Sequence, residues 1–291
     1  MRIRINDRGL EITTNIGCPN RCLFCPQDKI IEAYSRRSNV TMMPTNLYKQ
    51  CIDKLPTDVN VHFSGFSEPW LNKDCTDMLM YAHLRGHRIV VSTSLVGMTP
   101  EDAYIIRHVK FKRFMLHLPC REGYENIEVT PEYIETLQIL LTIYVNPVIH
   151  CHGEDIHPRL KSVLKECHIT PNSCCSRANN VEKGSVPTLK FVDNRKSEPF
   201  ICKNGMIKNV LLPNGDVSLC CADYGLRHVL GNLLYQEYDL LFKSKEFLRV
   251  QDSMTDRKLD TLCRWCEYAI MGEWLNEWLD KKGRRVCQIP S

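Results

Sequence analysis

The chain has 291 residues, 43% of them hydrophobic and 25% charged, with a formal net charge of +4. This is enough apolar mass to bury a real core, as one large domain or one domain plus a small appendage, and no apolar run approaches the length of a membrane span. Lys and Arg are interleaved with Asp and Glu throughout, so the charge carries no nucleic-acid signature. The opening stretch MRIRINDRGLEITT lacks the apolar middle of a signal peptide, which points to a cytoplasmic protein. The sixteen cysteines are the anomaly. With no export signal, and with many of them at metal-ligand spacings, they suggest iron or zinc rather than a disulfide framework.

In chain order, GLEITTNI reads as a strand, residues 45–55 as a helix, VNVHFSGF as a strand, NKDCTDMLMYAHLRG as a helix and HRIVVSTS as a strand. TPEDAYIIRHV then opens with a Thr cap and a Pro at the first helical position, followed by the strand FKRFMLHL and a second Thr-Pro-started helix, TPEYIETLQILLTI. The strand NPVIHC, a helix over HPRLKSVLKEC and a weaker segment around NSCCSRANN complete the series. Strands separated by helices imply parallel pairing with right-handed crossovers. About six such units are too few for a closed eight-stranded barrel, so the predicted fold class is α/β, a partial (β/α)6 TIM-like barrel. Residues 181–199 turn polar and irregular and mark the expected boundary between a barrel at 1–195 and a small cysteine-rich domain, a β-hairpin plus helix, at 196–291. The hairpin is read from MIKNVLLPNGDVSLCC, two short β runs around Pro-Asn-Gly-Asp. The tail CEYAIMGEWLNEWLDKKGRRVCQ, with Trp274 and Trp278 one turn apart, reads as an amphipathic helix packed over the barrel mouth or the cysteine-rich region.

Cys18, Cys22 and Cys25 lie close together in NIGCPNRCLFCP, as C-x3-C-x2-C. Four-iron clusters normally take four thiolates, one per iron. Three leave one iron open, which is useful for the same reason that a catalytic zinc keeps an exchangeable position. The array follows the first strand, where loops of α/β units carry active sites. Zinc is the competing reading, although paired C-x2-C knuckles and His partners are missing here. A scatter of free cysteines is the other. Farther on, Cys202, Cys220, Cys263 and Cys266 are enough to close a cluster or to build a structural zinc site. Cys51, Cys75, Cys120, Cys151 and Cys167 fall mostly in predicted elements and are expected in the core, and Cys287 is left out of the ligand set.

With Phe24 just before its third Cys, the array resembles the radical S-adenosylmethionine superfamily, over residues 10–195. The resemblance implies a 4Fe-4S cluster on Cys18, Cys22 and Cys25, whose open iron binds the amino and carboxylate groups of S-adenosylmethionine. An electron from the cluster would cleave that cofactor to methionine and a 5'-deoxyadenosyl radical. FSGFSEPWLN resembles the family's Gly-Gly-Glu-Pro segment, which meets the cofactor's ammonium group; the corresponding residues are Gly65, Ser67, Glu68 and Pro69, with Ser67 replacing the second Gly. Ser92 and Ser94 are candidate ribose partners, and His117 a candidate partner of the cofactor carboxylate. Ordinary loop serines and a hydrogen-bonded core His are the plain alternatives.

The C-x12-G-x4-C run from Cys202 through Gly215 to Cys220, with the later CRWC, is similar to the auxiliary-cluster extension called the SPASM or twitch domain. EYAIMGEW, after Cys266, lacks the further cysteines of the full pattern, which implies the twitch form with one auxiliary 4Fe-4S cluster on four Cys ligands. Such enzymes abstract a hydrogen atom from a C–H bond. The resemblance implies a polar substrate (a sugar, aminocyclitol or glycoside), an outcome of epimerisation or alcohol dehydrogenation, and an electron donor such as flavodoxin or ferredoxin. Cys221, directly after Cys220, is the candidate hydrogen-donating thiol; a small buried Cys is the plain alternative. Arg177, in SRANN, resembles a related RAGN segment and is a candidate fork for a substrate hydroxyl or carboxylate, with Asn179 and Asn180 beside it. Asp223 and Glu68 are candidate bases. Peptide modification is an alternative, although nothing before Ile12 supplies a winged leader-binding domain. A non-catalytic zinc or iron–sulfur binding scaffold is an alternative of another class.

Overall fold

The computed structural model describes residues 8–143, 147–171, 174–193 and 197–271. Trp274, Trp278 and Cys287 lie outside the described residues. Six strands, β1 (Gly9–Ile12), β2 (Asn60–Phe63), β3 (Ile89–Thr93), β4 (Arg113–His117), β5 (Val148–Cys151) and β6 (Ile169–Pro171), pair in parallel in chain order. Between them run α1 (Gln27–Ser35), α2 (Thr45–Ile52), α3 (Cys75–Leu84), α4 (Pro100–Ile105) and α5 (Pro131–Ile143). This is the expected partial-barrel pattern.

Alternation along the strands divides core from cavity. Leu10, Ile12, Val61, Phe63, Ile89, Val91, Leu116 and Ile149 share one core with Tyr48, Ile52, Met78, Leu79, Leu137 and Leu140 of the helices. The residues between them, Glu11, His62, Ser92 and His117, line a cavity. Cys51, Cys75, Cys120 and Cys151 are buried in that core and Cys167 packs against it. α4 starts as its sequence suggests: Thr99 Oγ1 accepts from Asp102 N at 3.1 Å and Asp102 Oδ2 accepts from Thr99 N at 2.9 Å.

Three local features differ from expectation. HPRLKSVLKEC forms a 3-10 turn at Pro158–Leu160 followed by further turns, not a helix. Burying Leu160 and Leu164 satisfies its apolar pattern without a continuous hydrogen-bond ladder. α1 and β6 were not legible: α1 is nine largely polar residues with Ile30, Ala33 and Tyr34 buried, and β6 is three residues long.

The C-terminal segment holds β7 (Phe200–Cys202), β8 (Lys208–Leu211), β9 (Asp216–Ser218), β10 (Val229–Asn232), α6 (Lys245–Asp252) and β11 (Ala269–Met271). β8 and β9 form the expected hairpin, with Leu212 N donating to Asp216 O at 2.8 Å and Gly215 turning at φ +87°. β8 also pairs in parallel with β1, Leu211 opposite Ile12. One sheet therefore runs through both segments in the order β10-β9-β8-β1-β2-β3-β4-β5-β6. β7 and β11 form a separate antiparallel pair. Among the described residues, no helix is long and apolar enough to cross a membrane.

Arg264 is fully buried between Cys263 and Cys266. It donates to the carbonyls of Ser253 (2.6 Å), Asp256 (2.9 Å), Leu259 (3.3 Å) and Glu198 (3.3 Å), and its guanidinium lies over the Phe200 ring. Arg264→Leu would strand these carbonyls, so we expect a loss of about 3 kcal/mol in urea unfolding. An unchanged urea midpoint would show that the carbonyls are satisfied without it.

Candidate active site

The three-thiol loop leaves β1 and is tied down on several sides. Ile16 N donates to Thr41 O at 2.7 Å, Leu23 N to Tyr124 O at 2.9 Å and Asn20 Nδ2 to Ser94 Oγ at 2.9 Å. Cys18, Cys22 and Cys25 are free thiols, each partly exposed. Cys25 Sγ is 3.3 Å from Gln27 Nε2 and 3.5 Å from Tyr224 OH. Burial, then the neighbouring charges of Cys25, Glu125 and Cys18, hold the Cys22 thiol well above its ordinary range. Cys18 is also pushed up by burial, against backbone donors at Asn20 and Glu68. Thiolates that repel one another in this way are a fitting donor set for a cationic metal core, which reverses the penalty. Phe24 packs on His152 with ring centroids 4.0 Å apart.

The Gly65–Pro69 stretch closes the loop after β2. Gly65 sits at φ +87°, and a Cβ there would fall 2.4 Å from Thr13 Oγ1, so glycine is required. Ser67 Oγ donates to Asn15 O at 2.7 Å, and Pro69 O accepts from Thr14 Oγ1 at 2.7 Å. Glu68 is buried and accepts from Thr93 Oγ1 at 2.5 Å, Ser94 N at 2.6 Å and Ser94 Oγ at 2.7 Å. Burial outweighs these donors and raises it to about 6. Its carboxylate thus fastens the end of β3. Ser94 is spent between Glu68 and Asn20, while Gly65, Ser92, Phe24 and His117 face a cavity of about 470 Å³. On its wall, His117 Nδ1 is 3.4 Å from His152 Nε2, and His152 Nδ1 is 3.3 Å from Cys174 Sγ.

A second cavity, of about 270 Å³, gathers Cys202, Cys220, Cys263 and Cys266. β7 ends at Cys202, which β11 holds near Cys266; Cys220 follows β9, and Cys263 lies in a 3-10 turn, Leu262–Trp265. Burial and neighbouring thiols push Cys220 and Cys263 far up. Among the described residues, no three His, Cys, Asp or Glu side chains are grouped tightly enough for a single metal ion. Four thiols around one cavity are the donor number of a four-iron cluster, one per iron.

Glu11, Cys175, Arg177, Lys208, Cys221 and Tyr268 border both cavities. Arg177 and Cys221 are among the residues singled out from the sequence; Glu11, Cys175, Tyr268 and the nearby Tyr224 are not. A charge in the middle of GLEI was the available signal for Glu11. Its carboxylate hydrogen-bonds Ser64 Oγ at 3.2 Å and the Cys221 thiol; burial raises it and Arg177 opposes the rise. Arg177, Ala178 and Asn179 are consecutive left-handed residues at φ +52°, +53° and +62°. Glu267 holds them, accepting from Ser176 Oγ at 2.6 Å, Ser176 N and Ala178 N. Asn180 Nδ2 ties this turn to Ala222 O at 3.0 Å. Asp223 is not brought to the site. It accepts from His228 N (2.8 Å), Arg227 N (2.9 Å) and Ser218 Oγ (3.3 Å), which closes the turn after Cys220, and it lines neither cavity.

The SPASM family model, an iron–sulfur cluster-binding domain, matches residues 202–267, the span that holds all four thiols of the second cavity. Solved structures extend the likeness over most of the chain. BtrN in complex with AdoMet and 2-DOIA is 14% identical with a TM-score of 0.56, covering 89% of this chain and 90% of that one. The chain shares the fold of this AdoMet-bound structure, and residues 202–267 match the SPASM domain. Native anSMEcpe with bound AdoMet and the Kp18Cys peptide is 12% identical, TM-score 0.59, covering 90% and 88%. Streptococcus suis SuiB bound to precursor peptide SuiA is 10% identical, TM-score 0.58, covering 89% and 69%. No curated protein matches the chain in sequence.

In this fold, burial and the neighbouring His152 and His150 push His117 down to about 3. The unfolded chain takes up a proton near pH 6.5 that the folded chain refuses, so stability is lost as pH falls below that value. Between pH 7 and 5 the wild type should lose about 2 kcal/mol more than His117→Gln in chemical unfolding. Parallel curves would mean that His117 is charged in the fold.

Proposed function

We propose that the chain is a radical S-adenosylmethionine enzyme with one auxiliary cluster, acting on a polar small molecule of the sugar, aminocyclitol or glycoside type. The carrying observation is that a three-thiol loop and a four-thiol cavity flank one chamber, with Arg177, Cys221 and Glu11 between them. Cys18, Cys22 and Cys25 would hold the first cluster, and Cys202, Cys220, Cys263 and Cys266 the second. When bound and reduced by one electron from a flavodoxin- or ferredoxin-class donor, S-adenosylmethionine supplies a carbon-centred radical that takes a hydrogen atom from substrate.

The chain's own residues favour return of a hydrogen atom, and hence epimerisation. The Cys221 thiol faces the chamber and its S–H bond is weaker than a C–H bond. Transfer of that hydrogen atom to a substrate carbon radical forms a C–H bond and leaves a thiyl. One electron from the same donor class and one proton restore the thiol. Glu11, raised by burial and hydrogen-bonded to Cys221, is placed to hold that proton. Dehydrogenation is the second reading, in which Glu11 would take the proton of the substrate radical and a cluster held by Cys202, Cys220, Cys263 and Cys266 would take its electron. Asp223 serves neither, since its oxygens are engaged in a turn. Peptide modification draws support from anSMEcpe and SuiB, whose structures hold peptides.

Anaerobic reconstitution should give about eight irons per chain. With dithionite and S-adenosylmethionine, the wild type should form 5'-deoxyadenosine and Cys18→Ala none. Bound zinc, or no cleavage in the wild type, would return the chain to a binding scaffold. In a substrate screen in deuterated water, an epimerised product should carry deuterium in the wild type, and Cys221→Ala should abolish it while 5'-deoxyadenosine still forms. A ketone product in both proteins would select dehydrogenation.

A further inference from the structure

Two buried side chains converge on the sulfur of Cys25, and neither belongs to the thiol ligand set. Gln27, in the first turn of α1, brings Nε2 to 3.3 Å from Cys25 Sγ and holds the same nitrogen 2.5 Å from Phe66 O. An amide nitrogen carries two hydrogens, so it serves both acceptors at once. Tyr224, in the turn after β9, brings its OH to 3.5 Å from the same sulfur. The Cys18 sulfur, by contrast, meets backbone amides, those of Asn20 and Glu68. The donors to Cys25 are side chains, and one of them comes from 199 residues farther along the chain.

Packing leaves the Tyr224 hydroxyl little choice of position. Its ring is buried in the small core with Ile30, Tyr34, Phe66 and Val210, and Cys25 packs against that core. The Phe66 ring, meeting it edge-on at 4.8 Å, holds it there. Either partner of the Cys25–Tyr224 contact can donate while the thiol is protonated. A sulfur bound to iron is a thiolate with no hydrogen of its own, so the phenol must then donate to it. Such a bond stabilises the reduced cluster more than the oxidised one, because the added electron makes the sulfur a richer acceptor, and the reduction potential rises. The positive charge of Arg177, which acts on both Tyr224 and Cys25, works in the same direction.

We propose that Tyr224 is a tuning residue, whose hydroxyl hydrogen-bonds the Cys25 sulfur and, together with Gln27, raises the reduction potential of the cluster on the three-thiol loop. The C-terminal segment thus acts on the electron uptake with which the reaction begins, through a phenol as well as through its own thiols. This rests on the reading that Cys18, Cys22 and Cys25 hold an iron–sulfur cluster. It adds to that site a residue that lines neither cavity.

The test is a redox titration followed by electron paramagnetic resonance on the full-length, anaerobically reconstituted protein. The first cluster is recognised by the change in its reduced signal when S-adenosylmethionine is added. Tyr224→Phe should shift the midpoint of that cluster to a more negative potential, lowering the ratio of reduced to oxidised cluster severalfold at the wild-type midpoint, while the second cluster's midpoint stays in place. Tyr34→Phe removes a hydroxyl from the same core, one that donates to Val40 O at 2.8 Å, and should leave both midpoints unchanged. Fluorotyrosine in place of Tyr224 keeps the ring and offers a stronger donor, so it should shift the first midpoint the other way. It also serves where Tyr224→Phe does not fold. An unmoved first midpoint, an equal shift of both midpoints, or the same shift in Tyr34→Phe would overturn the proposal. A first cluster that forms with its midpoint unmoved removes this inference alone. No iron–sulfur cluster on the loop removes the enzymatic reading with it.

Discussion

The parallel ladder between β1 and β8 is the constraint on which the rest of the molecule depends. By setting Leu211 opposite Ile12, it makes the C-terminal hairpin the next strand of the barrel sheet. The loop after β1 and the hairpin turn after β8 then lie at the same end of the sheet, and Tyr224, in the turn after β9, reaches toward that loop, its OH 3.5 Å from Cys25 Sγ. A second, smaller core seals the contact: Ile30, Ala33 and Tyr34 of α1 pack with Phe66, Val210, Leu212, Tyr224 and Leu226. The Phe66 and Tyr224 rings meet edge-on at 4.8 Å. α1 owes its existence to this packing more than to propensity, because nine largely polar residues make a marginal helix alone.

The junction of the two cavities adds a second dependence. Three successive non-glycine residues in the left-handed region each cost about 1 kcal/mol or more, and Arg177 is the first of them. Such a turn persists only where surrounding contacts over-determine it. Here the contacts come from Glu267, the residue after Cys266, and from Asn180 reaching Ala222 O. The reach of Arg177 toward Cys25 is therefore set by the backbone that also carries a thiol of the second cavity. Whatever orders Cys266 also orders Arg177.

These relations explain what the sequence disclosed and what it withheld. The strands before residue 160 were legible because each alternates, and the helices because α4 and α5 begin with Thr-Pro pairs. The thiol spacings were legible because metal ligands must be close in the chain or brought close by a turn. The β1–β8 pairing was not, since local pattern does not name a strand's partner two hundred residues away. HPRLKSVLKEC shows the opposite failure. Its Leu160 and Leu164 carry a helical spacing, yet burying those two side chains needs only turns. Asp223 illustrates a related point: a carboxylate three residues after Cys220 looks catalytic in the sequence, but three donors of its own turn engage it.

The inner face of the sheet departs furthest from ordinary physics. A parallel sheet is normally apolar on both faces because helices cover both. Here one face carries Glu11, His62, Ser92, Arg113 and His117, and the strands stay short. Charged and polar side chains turned toward a cavity add little to the core, so they mark a surface arranged for something other than folding. Their order along the strands is not random. Uncharged groups, Gly65, Ser92 and neutral His117, sit toward the thiol loop, cations sit at the opposite mouth, and Glu11 with Cys221 lies between. A wall graded in this way presents different chemistry to the two ends of any molecule it holds, and orientation is the part of a reaction that a protein itself must supply.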